Sequence, residues 1–375
     1  MAGIYFHYPF CRQACNYCNF HFSTQTKYRQ EMQQAMISEL YLRRSELIDP
    51  IESIYFGGGS PSLLPASFFY KTIKSVKNYF EVSKNIEITL EANPNDLTPK
   101  NLKDLKKSGV NRISLGAQSF RDDELKMMNR IHNANQGIMA LEWTSKVFDN
   151  FSVDLIYGLP QSNISTWAHN LDVLISFNPP HISSYALTVE PKTLLSYQVY
   201  KGEVKLLDEE TVKFQYDHLT SRLEKASYIN YEFSNFGKFG FHSVNNCNYW
   251  SGKPYLGIGP SAHSFDGHRV RSWNVSNNLK YLKSIENGSL PQTKEVLKDH
   301  EVFNEYLMIG LRTNGVKFSR VNERFGSNYG IFLEKQVKKH LLNRNLFWDG
   351  DVLRVSRNAR FLSDGIASDL FMLKG

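Results

Sequence analysis

The sequence predicts an α/β protein: a partial TIM-like (β/α)6 barrel followed by a small C-terminal α+β domain of winged-helix type. Three observations support this fold. Short β-rich runs alternate with helical stretches up to about residue 200, glycine-rich and polar motifs follow the ends of those runs, and the pattern changes to helices and a hairpin from residue 299. Alternation of strands and helices implies parallel strands joined by right-handed crossovers.

Six strands are predicted for the barrel, and each ends at a chemically distinctive loop. They cover residues 3–8, 51–56, 86–90, 112–115, 153–156 and 182–186. The helices between and after them are predicted at 27–45, 65–80, 99–108 with Thr98 as N-cap, 122–130, 135–146 and 165–175. Because an active site of a β/α barrel lies at the carboxyl ends of its strands, we expect the loops to converge on one rim.

The second half of the chain follows a different pattern. An amphipathic helix is predicted at 207–226, and three further helices at 300–311, 318–325 and 331–344 precede a hairpin of 346–348 with 352–355 and a terminal helix at 362–373. We therefore divide the chain into the barrel, residues 1–205, a connecting region that closes the barrel, residues 206–298, and the winged-helix-like domain, residues 299–375.

Composition limits the class of protein. Hydrophobic residues make up 41% and charged residues 22% of the 375 residues, an ordinary balance for a globular protein. There is neither an apolar run of about 18 residues nor a signal peptide, so we expect a cytoplasmic protein. The net charge of +7 fits a soluble basic protein, or one that attracts a membrane surface, a nucleic acid or a tetrapyrrole with carboxylates.

Three of the four cysteines, Cys11, Cys15 and Cys18, are spaced C-x3-C-x2-C directly after the first predicted strand. Three thiolates can hold three irons of a four-iron cluster and leave the fourth iron open to another ligand. A zinc site is the first alternative, although it needs a fourth ligand such as His7 or His21. A disulfide staple is the second, although it needs an oxidising compartment.

A glycine run, Gly57-Gly58-Gly59-Ser60-Pro61, follows the second strand. Glycines allow close backbone approach and leave N–H groups free to meet a carboxylate, whereas the absence of Gly-Lys-Ser/Thr excludes a phosphate loop. The alternative is a plain strand-to-helix turn. Four polar residues stand near further strand ends and are either ligand-binding groups or rim salt bridges and caps: Glu91, Gln118, Arg130 and Asp154.

The cysteine motif, with aromatic Tyr17 before its last cysteine, resembles the signature of the radical S-adenosylmethionine (SAM) superfamily, which implies a radical SAM barrel. More narrowly, the chain resembles the oxygen-independent coproporphyrinogen III oxidases and their shorter relatives, the radical SAM heme chaperones. The resemblance rests on residues 5–20, 55–64, 90–94, 111–120, 153–160, 231–236 and 255–265.

Two features favour the chaperone branch. The oxidases carry a further cysteine where this chain has Phe20, and they carry an N-terminal extension, whereas the cluster motif here begins at Cys11. The resemblance implies that the protein binds a 4Fe-4S cluster, SAM and heme, and hands heme to heme-requiring proteins, often of the respiratory chain. An oxidase-like enzyme with radical tetrapyrrole chemistry remains the alternative.

The resemblance also implies residue roles. Cys11, Cys15 and Cys18 would ligate the cluster. The SAM site would be lined by Tyr5, Tyr17, Gly58, Gly59, Ser60, Glu91, Gln118, Arg130, Asp154 and Thr188. A second SAM is not assumed, and SAM cleavage in turnover stays open.

One departure concerns the heme. The chaperones usually carry His-Asn-x-x-Tyr-Trp, but this chain has Asn245 in place of the histidine, and an amide is a poor iron ligand. His242, Cys247 or His263 could substitute, unless Cys247 is a buried apolar residue and His242 a surface residue.

The remaining expectations concern partners. Residues 301–375 hold 12 Lys and Arg against 8 Asp and Glu, too small an excess to favour a nucleic acid partner. Peripheral contact with the inner face of a membrane is compatible with heme delivery. A homodimer is left open.

Overall fold

The computed structural model describes residues 1–373 and has the predicted alternation of strands and helices. The six barrel strands are β1 (Ala2–Tyr8), β2 (Ile51–Gly58), β3 (Val82–Ala92), β4 (Arg112–Gln118), β5 (Phe151–Tyr157) and β6 (His181–Ala186). The helices among them are α1 (Arg29–Leu42), α2 (Ala66–Tyr79), α3 (Pro99–Lys107), α4 (Asp122–Met127), α5 (Ala134–Val147) and α6 (Ile164–Ser176).

Local sequence explains where these elements begin. Thr98 caps α3, since its side chain accepts from the Asn101 amide while the Asn101 side chain accepts from the Thr98 amide. In β1, alternate side chains face opposite layers, so that Ile4 and Phe6 are buried in the hydrophobic core while Tyr5 and His7 line the inside of the curved sheet. All six strands run parallel, with Tyr5 of β1 opposite Tyr55 of β2.

The connecting region extends the sheet at both edges. Its elements are α7 (Leu194–Tyr200), α8 (Glu209–Lys225), β7 (Ile229–Asn230), β8 (Asn235–Gly237), α9 (Val244–Trp250), β9 (Tyr255–Ile258), β10 (His263–Phe265), β11 (Val270–Asn274), α10 (Asn278–Glu286) and β12 (Gln292–Val296). The strand order is β12-β11-β10-β9-β1-β2-β3-β4-β5-β6-β8-β7. β9 pairs in parallel with β1, and β8 pairs antiparallel with β6.

A second hydrophobic core lies in the C-terminal part, around Phe303, Leu307, Val321 and Leu333. It is built by α11 (Asp299–Arg312), β13 (Val316–Lys317), α12 (Phe318–Phe325), α13 (Ser327–Leu342), β14 (Leu346–Asp349), β15 (Val352–Val355) and α14 (Ser363–Asp369). Four helices and a small sheet of order β13-β15-β14 give the predicted winged-helix-like arrangement.

Two predicted boundaries in this part differ from the structure. α13 begins at Ser327 rather than at residue 331, directly after Gly326, whose φ of 95° separates it from α12. The terminal helix is shorter than the predicted 362–373, because α14 begins at Ser363, after a 3-10 turn at Arg357–Leu362, and already ends at Asp369. Within residues 1–373, no helix has the length and apolar character needed to cross a membrane.

Candidate functional site

A cavity of about 490 Å³, called here the rim cavity, opens at the carboxyl ends of the barrel strands. Its walls come from the loop after β1, the turn after β2 and the inward-facing side chains of β3 to β6. Twelve of the thirteen predicted site residues line it: Cys11, Cys15, Tyr17, Cys18, Gly58, Gly59, Ser60, Glu91, Gln118, Arg130, Asp154 and Thr188. The parallel topology thus gathers residues that are up to 177 positions apart in the sequence, from Cys11 to Thr188.

The cysteine loop is closed at its base by backbone pairing. The Cys11 amide donates to the Ser23 carbonyl at 3.1 Å, and the Ser23 amide donates to the Pro9 carbonyl at 2.7 Å. All three cysteines are free and partly exposed. The loop is also attached to the end of α4, because the Asn16 side chain donates to the Met127 carbonyl at 2.7 Å.

Burial opposes ionisation of two of the three thiols, Cys11 and Cys18. Burial raises the pKa of Cys11 to about 11, against a smaller lowering by a hydrogen bond with Ser60. Burial also raises the pKa of Cys18. Iron binds the thiolate, so the positive charge of a bound metal must favour deprotonation here. No three His, Cys, Asp or Glu side chains within residues 1–373 are close enough together to hold a single metal ion. A four-iron cluster engages each thiolate through a different iron, so three separated thiols on one wall fit it.

Arg130 connects the cysteine loop to the sheet. Its Nη1 lies 3.4 Å from Cys15 Sγ, while its Nη2 donates to Asn93 Oδ1 at 2.6 Å and to the Gly116 carbonyl at 2.9 Å. Its Nε is buried without a hydrogen-bond partner in the described chain. The guanidinium therefore presents positive charge beside the thiols and to the rim cavity.

The glycine run forms a tight turn against the cysteine loop. At Gly58 φ is +103°, and a Cβ at Gly59 would lie 2.7 Å from the Phe10 carbonyl oxygen and 2.9 Å from the Tyr8 carbonyl oxygen. The amides of Gly59 and Ser60 donate to the same carbonyls, Tyr8 and Phe10, at 2.8 Å each. The expectation of free amides is therefore wrong for these two residues, because the close approach that requires glycine also uses their N–H groups.

Two carboxylic acids form the polar inner wall of the rim cavity. Glu91 accepts a 2.9 Å hydrogen bond from the Tyr55 hydroxyl, and burial raises its pKa to about 7. Asp154 accepts from the Ser114 hydroxyl at 3.0 Å, and burial raises its pKa as well. Two buried acids with raised pKa values suit a ligand that brings its own positive charge.

Sequence reasoning missed Arg112, which lines the deep end of the rim cavity. It is 2% exposed, its nearest carboxylate oxygen belongs to Glu87 at 3.8 Å, and its Nε has no hydrogen-bond partner in the described chain. The two-residue periodicity of β4 could have predicted this, because alternate residues of a strand face the same side. Gln118 and Arg112 belong to one such series, which lines the rim cavity: Arg112, Ser114, Gly116 and Gln118.

Gln118 and Thr188 occupy the outer part of the rim cavity. Gln118 has a φ of 56° and stands where the pairing of β4 with β5 is irregular, so its side chain turns toward Gly116. Thr188 is exposed at the mouth and donates to the Ala186 carbonyl at 3.4 Å. Thr188 is thus available to a ligand only at the entrance.

Tyr5 is the predicted site residue that does not line the rim cavity. It lines a second cavity of about 540 Å³, called here the β1–β11 cavity, on the other half of the curved sheet. Tyr5 still approaches the rim cavity, because a Cβ on Gly57 would lie 2.8 Å from Glu91 Oε1 and 3.0 Å from the Tyr5 ring. Asn19 and Phe20 line both cavities, so the cysteine loop borders each of them.

The structure separates the residues considered as heme ligands. Asn245 and His263 line the β1–β11 cavity. His242 lies outside it and stacks on Tyr231, with ring centroids 4.2 Å apart. Cys247 is partly exposed and lines neither cavity.

The chain is similar to several known proteins. The sequence pattern of the Radical SAM superfamily matches residues 5–174. The heme chaperone HemW of Bacillus subtilis (strain 168) is 33% identical, over 94% of this chain and 94% of that protein. The mitochondrial radical S-adenosyl methionine domain-containing protein 1 of Bos taurus is 31% identical, over 84% of this chain and 73% of its own length.

Among solved structures, coproporphyrinogen III oxidase HemN of Escherichia coli superposes with a TM-score of 0.85, covering 99% of this chain and 90% of that one, at 19% identity. That likeness establishes the shared fold. The identity to curated relatives over nearly the full length is what assigns the family. The chain belongs to the HemW family of radical SAM heme chaperones.

Proposed function

We propose that this protein is a heme chaperone, which holds a 4Fe-4S cluster and SAM at the rim cavity, binds heme, and delivers the heme to acceptor proteins. The observation that carries the proposal is the gathering of twelve predicted site residues around one cavity, in a chain whose curated relatives are named heme chaperones. Sequence motif and tertiary arrangement thus support the same cofactors.

Cys11, Cys15 and Cys18 would hold the cluster. Their loop is closed by the pairing of Cys11 with Ser23 and faces Arg130, whose charge stabilises thiolates. When bound, a 4Fe-4S cluster with three protein ligands supplies one-electron chemistry and an open iron position. The protein's contribution is to keep the three thiols on one wall and to border them with the glycine turn.

The side chains proposed to bind SAM include both acidic and basic groups. Glu91 and Asp154 offer carboxylates to positively charged or hydroxyl groups, and Arg130 offers a guanidinium to a carboxylate. Gln118 adds an amide and Thr188 a hydroxyl near the mouth, while Tyr17 adds an aromatic wall. This distribution of charges matches a ligand that carries an ammonium, a sulfonium, a ribose and a carboxylate.

The proposed partners are heme and heme-requiring proteins, including those of the respiratory chain. We place the protein in the cytoplasm with peripheral contact at the inner face of the membrane, which the net charge of +7 supports because that surface is anionic. We expect no nucleic acid partner. Whether two copies associate is a separate question that a sedimentation measurement answers.

The test is heme transfer. Anaerobically reconstituted protein is loaded with hemin, separated from free hemin, and mixed with an apo-cytochrome whose absorbance reports heme uptake. We expect uptake that is faster than from free hemin and that requires the loaded chain. Uptake no faster than from free hemin, together with conversion of coproporphyrinogen in the presence of SAM and a reductant, would instead support the oxidase-like alternative.

A further inference from the structure

The β1–β11 cavity is lined by none of the cysteines or acids of the rim cavity, yet it has the size and walls of a ligand site. Its volume of about 540 Å³ lies within the usual range for small-molecule pockets. Three kinds of side chain line it: the imidazoles of His7, His21 and His263, the aromatic rings of Phe20, Tyr249 and Tyr255, and the cations Lys253 and Arg271.

The three histidines differ in how many of their ring nitrogens form hydrogen bonds within the protein. His7 is 5% exposed and uses both, since its Nε2 donates to the His21 carbonyl at 2.8 Å and its Nδ1 accepts from the Tyr5 hydroxyl at 3.2 Å. His21 uses one, because its Nε2 lies 2.7 Å from Asn278 Oδ1. Within residues 1–373, no hydrogen bond engages either nitrogen of His263.

Stacking on a neighbouring ring orders the His263 side chain, which nevertheless stays accessible from the cavity. It is opposite Trp273 in the pairing of β10 with β11, and the two rings stack with centroids 5.8 Å apart and planes 25° from parallel. The side chain remains exposed toward the cavity. An imidazole with an ordered ring, two free nitrogens and open access can donate a lone pair to a metal.

The other walls suit a flat ligand with acidic edges. Phe20 is 68% exposed and Tyr249 49% exposed, so both rings are open to contact, and Tyr249 packs against Tyr255 with centroids 5.8 Å apart. Lys253 and Arg271 can meet carboxylates, although each already has an acidic neighbour, Glu52 at 2.9 Å for Lys253 and Glu305 for Arg271. A carboxylate-bearing ligand therefore has to compete with those acids or share the cations with them.

We propose that the β1–β11 cavity binds an iron tetrapyrrole with two carboxylates and that His263 is its axial ligand in this chain, where Asn245 on the same cavity wall offers only an amide. The inference rests on the proposed heme-binding function and adds the site and the ligand. Coordination forms one bond, from an imidazole nitrogen to ferric iron, and displaces a water molecule from the iron.

The test is a hemin titration of the reconstituted full chain, followed by Soret absorbance and by electron paramagnetic resonance of the ferric iron. We expect His263→Ala to weaken hemin binding about tenfold or more and to change the spin state, and added imidazole to restore the wild-type spectrum. His242→Ala is the matched control, because His242 lies outside the cavity, and should bind as wild type does. Iron-free protoporphyrin should bind equally to wild type and His263→Ala.

Two further variants keep the result decisive. His263→Met is expected to replace the imidazole spectrum by that of a thioether ligand, which tests the position even if His263→Ala folds poorly. His268→Ala, which removes an exposed imidazole that lines neither cavity, should leave the spectrum unchanged. An unaltered spectrum and affinity in both His263 variants would overturn this inference alone. Failure of the wild-type chain to bind hemin stoichiometrically would overturn the proposed function as well.

Discussion

The Arg130 guanidinium lies 3.4 Å from the Cys15 sulfur and at the same time donates to the Asn93 side chain and the Gly116 carbonyl. One side chain thus fixes the cysteine loop relative to β3 and β4. Arg130→Ala should lower the free energy of unfolding by about 2–3 kcal/mol, the range for loss of charged hydrogen bonds, and should reduce cluster occupancy. Urea unfolding and iron content measure the two effects.

The matched control for Arg130 is Arg121→Ala, which removes a partly exposed guanidinium paired with Asp123 in the same segment. It should change neither quantity by much, since exposed ion pairs contribute about 0–1 kcal/mol. Equal losses in both variants would show that Arg130 has no special connection to the cysteine loop.

Three of the four cysteines are proposed ligands of the 4Fe-4S cluster, and the fourth, Cys247, is not. Replacing Cys11, Cys15 or Cys18 by Ala should abolish the charge-transfer absorbance and most of the iron of reconstituted protein. Cys247→Ala should retain both, because Cys247 lines neither cavity. Retention of a full cluster in Cys18→Ala, or its loss in Cys247→Ala, would be incompatible with the proposed ligand set.

Glu91 should make SAM binding depend on pH. Burial raises its pKa to about 7, so the carboxylate that attracts a positively charged ligand is mostly protonated at pH 6 and mostly ionised at pH 8. Affinity should therefore rise with pH by roughly tenfold over this interval. Isothermal titration with SAM measures it. Glu91→Gln should flatten the dependence, whereas the surface variant Glu142→Gln should preserve it, and a steep slope in Glu91→Gln would refute the assignment.

Gly59 should tolerate no side chain. A Cβ there would meet the backbone oxygens of Phe10 and Tyr8 at 2.7 and 2.9 Å, and backbone cannot move aside as a flexible side chain does. Gly59→Ala should cost about 1–3 kcal/mol or more and misplace the cysteine loop. Gly365→Ala, with nothing within 4 Å of its Cβ, is the control. The measurement is the midpoint of thermal unfolding of both variants. Equal midpoints would contradict the close contact of Gly59 with the backbone of Tyr8 and Phe10.

His132 should contribute to acid sensitivity. It is 2% exposed, its Nε2 donates to the Ala117 carbonyl at 2.8 Å, and burial lowers its pKa to about 4. The unfolded chain takes up the proton near pH 6.5 and the folded chain does not, so stability is lost as pH falls from about 6.5 toward 4. The loss from this group is about 1.4 kcal/mol per pH unit. Urea unfolding of His132→Gln at pH 7 and pH 5 should show a smaller loss than wild type, and an identical loss would exclude this role.

The sequence predicts the barrel strands well because each is a buried run, and only their ends differ. β4, for example, continues past Leu115 to Gln118, since Gly116 interrupts the β-forming pattern without ending the strand. None of the strands in the connecting region was predicted from the sequence, and two of the shortest show the physical reason. β7 and β8 have two and three residues, too few to show a period, and their pairing with β6 is a tertiary contact.

For the candidate site, sequence reasoning located the polar residues at strand ends but not their exact partners. Alternation along β1 indicates that Tyr5 and His7 face the same side, yet it cannot say that this side is a second cavity. Nor can it show that the Gly59 and Ser60 amides are used within the fold, because their acceptors, Tyr8 and Phe10, depend on how the cysteine loop returns to β2.

Binding and transfer of heme is the proposed function on which the other proposals depend. The decisive experiment is an absorbance titration of the anaerobically reconstituted full chain with hemin, run beside an assay for coproporphyrinogen conversion with SAM and a reductant. We expect saturation at a fixed hemin-to-chain ratio and no vinyl-porphyrin product. Product formation without saturable hemin binding would contradict it and identify an oxidase-like enzyme.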